Sequence, residues 1–118
     1  MQLGMIGLGR MGHGMTERLR EHGHEVQTYD PNVQERTASS LEELKQQLEA
    51  PRAFWMMIPA GKITEDVFHE LLGIADKGDT IVDGGNSNFR DSQRRSREAQ
   101  AQGLHFVEIG RASCRESV

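Results

Sequence analysis

Cysteine is nearly absent. Cys114 stands alone, so no disulfide can close within the chain, and a reducing compartment is the natural expectation. No apolar run approaches the roughly 20 residues of a membrane-spanning helix, and the first residues are expected to enter a strand directly, with no leader ahead of it. A basic excess is missing too. Fourteen Lys and Arg against eighteen Asp and Glu leave a net charge of −4, which argues against nucleic acid and anionic membranes as partners. The histidines, His13, His22, His24, His69 and His105, show no metal-ligand spacing, so no metal is expected. Cys114 has no partnering histidine pattern that would mark a nucleophile. Internal repeats and low-complexity linkers are also lacking. What remains is 118 residues, one domain's worth of chain with room for a core, expected in the cytoplasm.

The stretch Leu3 to Gly12, LGMIGLGRMG, organises the rest. Leu3, Met5 and Ile6 read as a short strand, followed by Gly7-Leu8-Gly9-Arg10-Met11-Gly12 and then a helical pattern. The three glycines have the G-x-G-x-x-G spacing of a dinucleotide-binding turn. Gly7 would allow the sharp exit from the strand, Gly9 would let a pyrophosphate approach the backbone, and Gly12 would let the helix lie close. That helix would aim free N–H groups and the positive end of its dipole at phosphate. Met11, Met15 and Leu19 form its apolar stripe and Gly23 its stop signal. Val26 to Tyr29 then reads as a second strand ending on Asp30, which falls 23 residues after Gly7. An acid at about that distance accepts bonds from the adenosine ribose hydroxyls.

Pro31 to Ser39 is polar and too short for a full helix and strand, so an abbreviated connection is expected. Ser40 and Glu43 have capping-box spacing, ahead of a stripe of Leu41, Leu44 and Leu48 that is followed by Pro51. Ala53 to Ile58 is a continuous apolar run expected to be a strand buried on both faces. Thr64 to Ala75 is an amphipathic helix with Val67, Phe68, Leu71, Leu72 and Ala75 inward, and Gly78-Asp79 a turn. Thr80 to Val82 is a strand, Asn88 to Gln102 a polar helix ended by Gly103, and Leu104 to Ile109 a last strand. Arg90, Arg94, Arg95 and Arg97 are expected on a solvated helix face rather than in a phosphate clamp. The alternation predicts an α/β fold, a Rossmann-type doubly wound parallel sheet covered on both faces, with a shortened connection after the second strand. Ligands of such sheets sit at the carboxyl ends of the strands, where Pro59-Ala60-Gly61 and Gly84-Gly85-Asn86 fall.

Three stretches, MIGLGRMGHGM at Met5 to Met15, MMIPAG at Met56 to Gly61 and DGGNSNFRD at Asp83 to Asp91, resemble 6-phosphogluconate dehydrogenase within the β-hydroxyacid dehydrogenase group. The third is the most specific, and the resemblance covers Met1 to about Gly110. It implies hydride transfer from C3 of 6-phosphogluconate to a nicotinamide, followed by loss of carbon dioxide to give ribulose 5-phosphate. It also implies that Ile58, Pro59 and Ala60 line the cofactor and that Asn86 touches both nicotinamide and substrate. An amide suits that position because it both donates and accepts hydrogen bonds.

NAD is favoured over NADP, which stays possible. Asp30 would repel a 2′-phosphate, and the Asn-Arg-Thr of NADP-using members is replaced by Asp30-Pro31-Asn32. Arg10 and Arg36 are the groups that could still reach such a phosphate. After Gly110 the family continues with a Ser-Gly-Gly loop, a lysine-bearing helix and a helical domain through which full-length members oligomerise. Residues 111–118, RASCRESV, do not follow that pattern. The expectation is therefore a dinucleotide-binding domain over 1–110 and a non-family tail. No catalytic residue lies within it, and cofactor binding should occur without turnover. A stand-alone dinucleotide-binding or sensing module is the other function class left open.

Overall fold

Strands and helices alternate through the residues that the computed structural model describes, 2–30, 36–58, 62–85 and 89–109. In chain order they are β1 (Gln2–Ile6), α1 (Arg10–Glu21), β2 (Glu25–Tyr29), α2 (Leu41–Gln46), β3 (Ala53–Met56), α3 (Lys62–Ile74), β4 (Thr80–Asp83), α4 (Phe89–Ala101) and β5 (His105–Glu108). All the strands are parallel, in one sheet of order β2-β1-β3-β4-β5.

The order explains which face each helix covers. Crossovers between parallel strands are right-handed. The chain steps one way from β1 to β2 and the other way through β3, β4 and β5. It therefore lays α1 on one face and α2, α3 and α4 on the opposite face. Side chains alternate accordingly. Leu3, Met5 and Val26 pack with Met15 and Leu19 of α1, alongside half-buried Ala53, Trp55 and Met57. Ile6, Phe54, Met56 and Ile81 meet Leu41, Leu44, Phe68, Leu71 and Ala99 on the other side. Each fully buried apolar side chain in these layers stabilises by about 1.5–3 kcal/mol. The reversal of direction between β1 and β3 opens a crevice at their carboxyl ends, where ligands of open α/β sheets bind.

Local signals act much as expected. Gly23, at φ +87°, ends α1 while the His24 N–H donates to the Leu19 carbonyl at 3.1 Å, closing the last turn. Ser40 caps α2, its hydroxyl accepting from the Glu43 N–H at 3.1 Å. The Glu43 carboxylate reaches back to the N–H of Ser39 at 2.8 Å, one residue before the cap. Along the edge strand β2, the N–H groups of Thr37 and Ala38 both donate to the Thr28 carbonyl.

One expectation needs correcting. β3 was expected to reach Ile58 but ends at Met56: the Met57 N–H still donates to the Ile6 carbonyl of β1 at 2.8 Å, while the Met57 and Ile58 carbonyls pack close to Gly7 and Gly85 in the glycine turns described below. Both faces of the sheet are covered as expected, though unequally. Among the described residues α1 alone covers its face, leaving Val82 half-buried and Val107 44% exposed. A helix is about 10 Å across and strands lie about 4.8 Å apart, so one helix shelters only two or three strands. The expected tail, residues 111–118, lies outside the described residues.

Candidate cofactor site

The crevice between β1 and β3 is floored by the glycine turn. The Gly7 N–H donates to the Tyr29 carbonyl at 3.0 Å, which ties the end of β1 to the end of β2. Gly7 then turns with φ +99°, a conformation that side chains resist, and a Cβ there would also stand 2.6 Å from the Met57 carbonyl oxygen. Leu8 is buried, and its N–H donates to Oδ2 of Asp30 at 2.7 Å. The acid expected to meet a ribose therefore lies against the turn expected to meet the phosphates, 22 residues away in sequence.

Gly9 and Gly12 have opposite surroundings. Around Gly9 a Cβ would meet nothing within 4 Å, so the turn is bare toward solvent at the N-cap of α1. No side chain caps that helix end, and no acid lies in its first turn. Its N–H groups and the positive end of its dipole are thus available to an anion. At Gly12 a Cβ would collide with the carbonyl oxygen of Gly7. Only glycine lets α1 start this close to the strand it leaves. Arg10 and Met11 open the helix between these two glycines.

Beside Asp30, Arg36 donates to the Asp30 carbonyl at 3.1 Å and its guanidinium lies 5.8 Å from the centre of the Tyr29 ring. Across the crevice Ile58 is buried against Gly7 and presents its carbonyl to Gly85. Pro59, Ala60 and Asn86 lie outside the described residues, as do Pro31 and Asn32.

The far side of the crevice contains what sequence reasoning missed. Asp83, the last residue of β4, is fully buried and accepts from the Gly85 N–H at 3.0 Å. Its other carboxylate oxygen faces Nη1 of Arg95 at 3.4 Å. Arg95 was expected on a solvated face but is only 2% exposed. It lies on the inward row of α4 between Ser92 and Ala99, both small and buried, which leaves room for its long stem. Glu65 of α3 receives its Nε and Nη2 at 2.9 and 2.8 Å. Arg94 grips the same carboxylate with two bonds, at 2.7 and 2.8 Å. The Arg94 bonds, opposed by desolvation and helped by Arg95, hold the Glu65 carboxyl at about 2, well below its usual value. Arg90 and Arg97 remain exposed, as expected. The available signal was an arginine on an otherwise small-residue helix row, with an aspartate ending the preceding strand.

The chain as a whole is similar to known proteins. Residues 2–113 match the sequence profile of the NAD binding domain of 6-phosphogluconate dehydrogenase. A decarboxylating 6-phosphogluconate dehydrogenase of Chlamydia pneumoniae is 38% identical over 92% of this chain and 26% of its own length. An NAD(+)-dependent decarboxylating 6-phosphogluconate dehydrogenase of Haloferax volcanii is 36% identical over 86% of this chain and 37% of its own. The structure of Plasmodium falciparum 6-phosphogluconate dehydrogenase, described with its cofactor NADP+ and its substrate, superposes with a TM-score of 0.66. It is 24% identical, over 93% of this chain and 27% of that one. The chain thus spans about a quarter to two-fifths of the length of these relatives. The turn, the acid and the parallel sheet agree with that match, and the chain belongs to the family of the NAD-binding domain of 6-phosphogluconate dehydrogenase.

Proposed function

We propose that the crevice holds a nicotinamide dinucleotide, with NAD preferred over NADP, for the oxidative decarboxylation of 6-phosphogluconate. One observation carries this reading: bare Gly9 at an uncapped helix start, with the Asp30 carboxylate bonded to the same turn. Backbone N–H groups of the turn from Gly9 to Gly12 would receive the pyrophosphate, helped by the α1 dipole, while those of Gly7 and Leu8 hold the turn to Tyr29 and Asp30. Asp30 would accept from the ribose hydroxyls, and its charge disfavours a 2′-phosphate there. Arg36 opposes that preference, since its guanidinium lies beside Asp30. Ile58, Pro59 and Ala60 would flank the nicotinamide, and Asn86 would bond both the nicotinamide and the sugar acid. When bound, the nicotinamide supplies the hydride acceptor for oxidation at C3. The carbon dioxide loss and its proton transfers would need groups from the further length that the relatives have. The unit proposed to bind the cofactor is residues 1–110.

Calorimetric titration of the chain with NAD+ and NADP+ tests the reading. NAD+ should bind more tightly, and Asp30→Ala should weaken NAD+ by about tenfold, the effect of one charged hydrogen bond. Tighter binding of NADP+ would overturn the preference, and no binding of either would overturn the function.

A further inference from the structure

Asp83, Arg95 and Glu65 form a line of charge from the end of β4, through α4, to α3. Asp83 closes a bond to Gly85, the second glycine of the loop after β4, at 3.0 Å. Its outer oxygen faces Arg95, and Arg95 is anchored on Glu65 by two bonds of 2.9 and 2.8 Å. Asp83 and Arg95 are almost wholly buried. A buried ion line of this kind yields little net stability over apolar packing, but it holds its members in one geometry. Gly85 is restrained from a second direction, because a Cβ there would collide with the Ile58 carbonyl. Among the described residues, the path of the chain leaving β4 is held by the Asp83 carboxylate at Gly85, by the Gly84 N–H, which donates to the Met56 carbonyl at 2.8 Å, and by the close Ile58 carbonyl. The glycine turn across the crevice is held by other bonds, Gly7 to Tyr29 and Leu8 to Asp30.

We propose that Arg95, anchored by Glu65, is a positioning residue: through Asp83 it sets the backbone that leads into Asn86, and so how the nicotinamide half of a dinucleotide is received. This rests on the dinucleotide reading above. The adenosine half, received across the crevice, does not depend on Arg95.

The test uses the full chain carrying Arg95→Lys, which keeps the charge but not a planar fork that can face Asp83 and Glu65 together. Amide exchange at Gly85, followed by NMR without ligand, should quicken by about tenfold, as one charge-assisted bond is loosened. Exchange at Gly7 and Leu8 should not change. In calorimetry NADH should bind about tenfold more weakly, while ADP-ribose, which lacks the nicotinamide, should bind as before. A Gly85 amide no faster than in the parent chain, or equal weakening of both ligands, would overturn the proposal. If Arg95→Lys does not fold, Glu65→Gln removes the anchor and is judged by the same readouts. A parent chain that binds neither ligand refutes the dinucleotide reading, and Gly85 exchange still decides the positioning role.

Discussion

The two sides of the crevice are built from different materials. Beside β1 and β2 the structure uses backbone and the absence of side chains: Gly7, Gly9 and Gly12, with the Asp30 carboxylate bonded to the turn. Beside β4 it uses side-chain charge, with Asp83, Arg95 and Glu65 bonded in sequence behind a glycine loop. The first arrangement exposes N–H groups and is suited to a ligand that brings its own charge. The second neutralises its charges internally and is suited to holding a loop in place. A backbone site tolerates almost no added atom, whereas an ion line depends on the sign of each charge and on the shape of the group that carries it.

The sharpest way to break the comparison is to add one methyl group at each of two glycines. Gly12→Ala puts a Cβ into the Gly7 carbonyl, so the turn must open. It should lower stability by about 1–3 kcal/mol, in the range of overpacked sites, and abolish dinucleotide binding. Gly9→Ala has free space for its Cβ. It should leave the melting temperature unchanged and still lose binding, because the methyl would occupy the place proposed for the phosphates. Thermal melts with calorimetry on both variants separate structural from ligand roles. Equal melting losses would show that Gly9 is not a ligand position.

Acid sharpens the other side. Glu65 titrates at about 2 in the folded chain against 4.5 for the free group. Its contribution to stability is complete above pH 4.5 and is lost as the pH falls toward 2. Asp76, held low by Arg52 and then by Lys45, contributes in the same direction. Melting temperatures measured between pH 6 and pH 3 should therefore fall, and Glu65→Gln should make the fall shallower. An unchanged slope in that variant would remove Glu65 from the ion line.

The smallest effect is expected away from both sides. Ser40→Ala removes the cap of α2 and should cost about 1 kcal/mol. Binding should be unaffected, since α2 packs against the opposite face of the sheet from α1. A change in dinucleotide affinity would mean that the crevice senses stability in general, which would weaken the reading of the other variants.

Much of this was legible in the residues, because the signals are local. The spacing of Gly7, Gly9 and Gly12, the stop at Gly23 and the capping pair Ser40 and Glu43 each act within a turn or two of chain. Asp30 was legible through a known interval rather than through its partner. Arg95 was not, because polar helix positions usually face water, and the carboxylates that draw it inward stand 12 and 30 residues away. The end of β3 was missed for a related reason: an apolar run does not reveal where the strand gives way to close packing against Gly7 and Gly85.

By itself, then, the sequence determined the order and kind of the elements, the glycine turn after β1 and the position of the acid at the end of β2. These depend on dihedral preference, side-chain size and periodicity over short spans. Only the tertiary structure decided which helix covers which face, how much of the α1 face stays open, and that Arg95 stands between Asp83 and Glu65. Those outcomes arise where distant segments compete for the same space and the same charges, and only the folded chain brings them together.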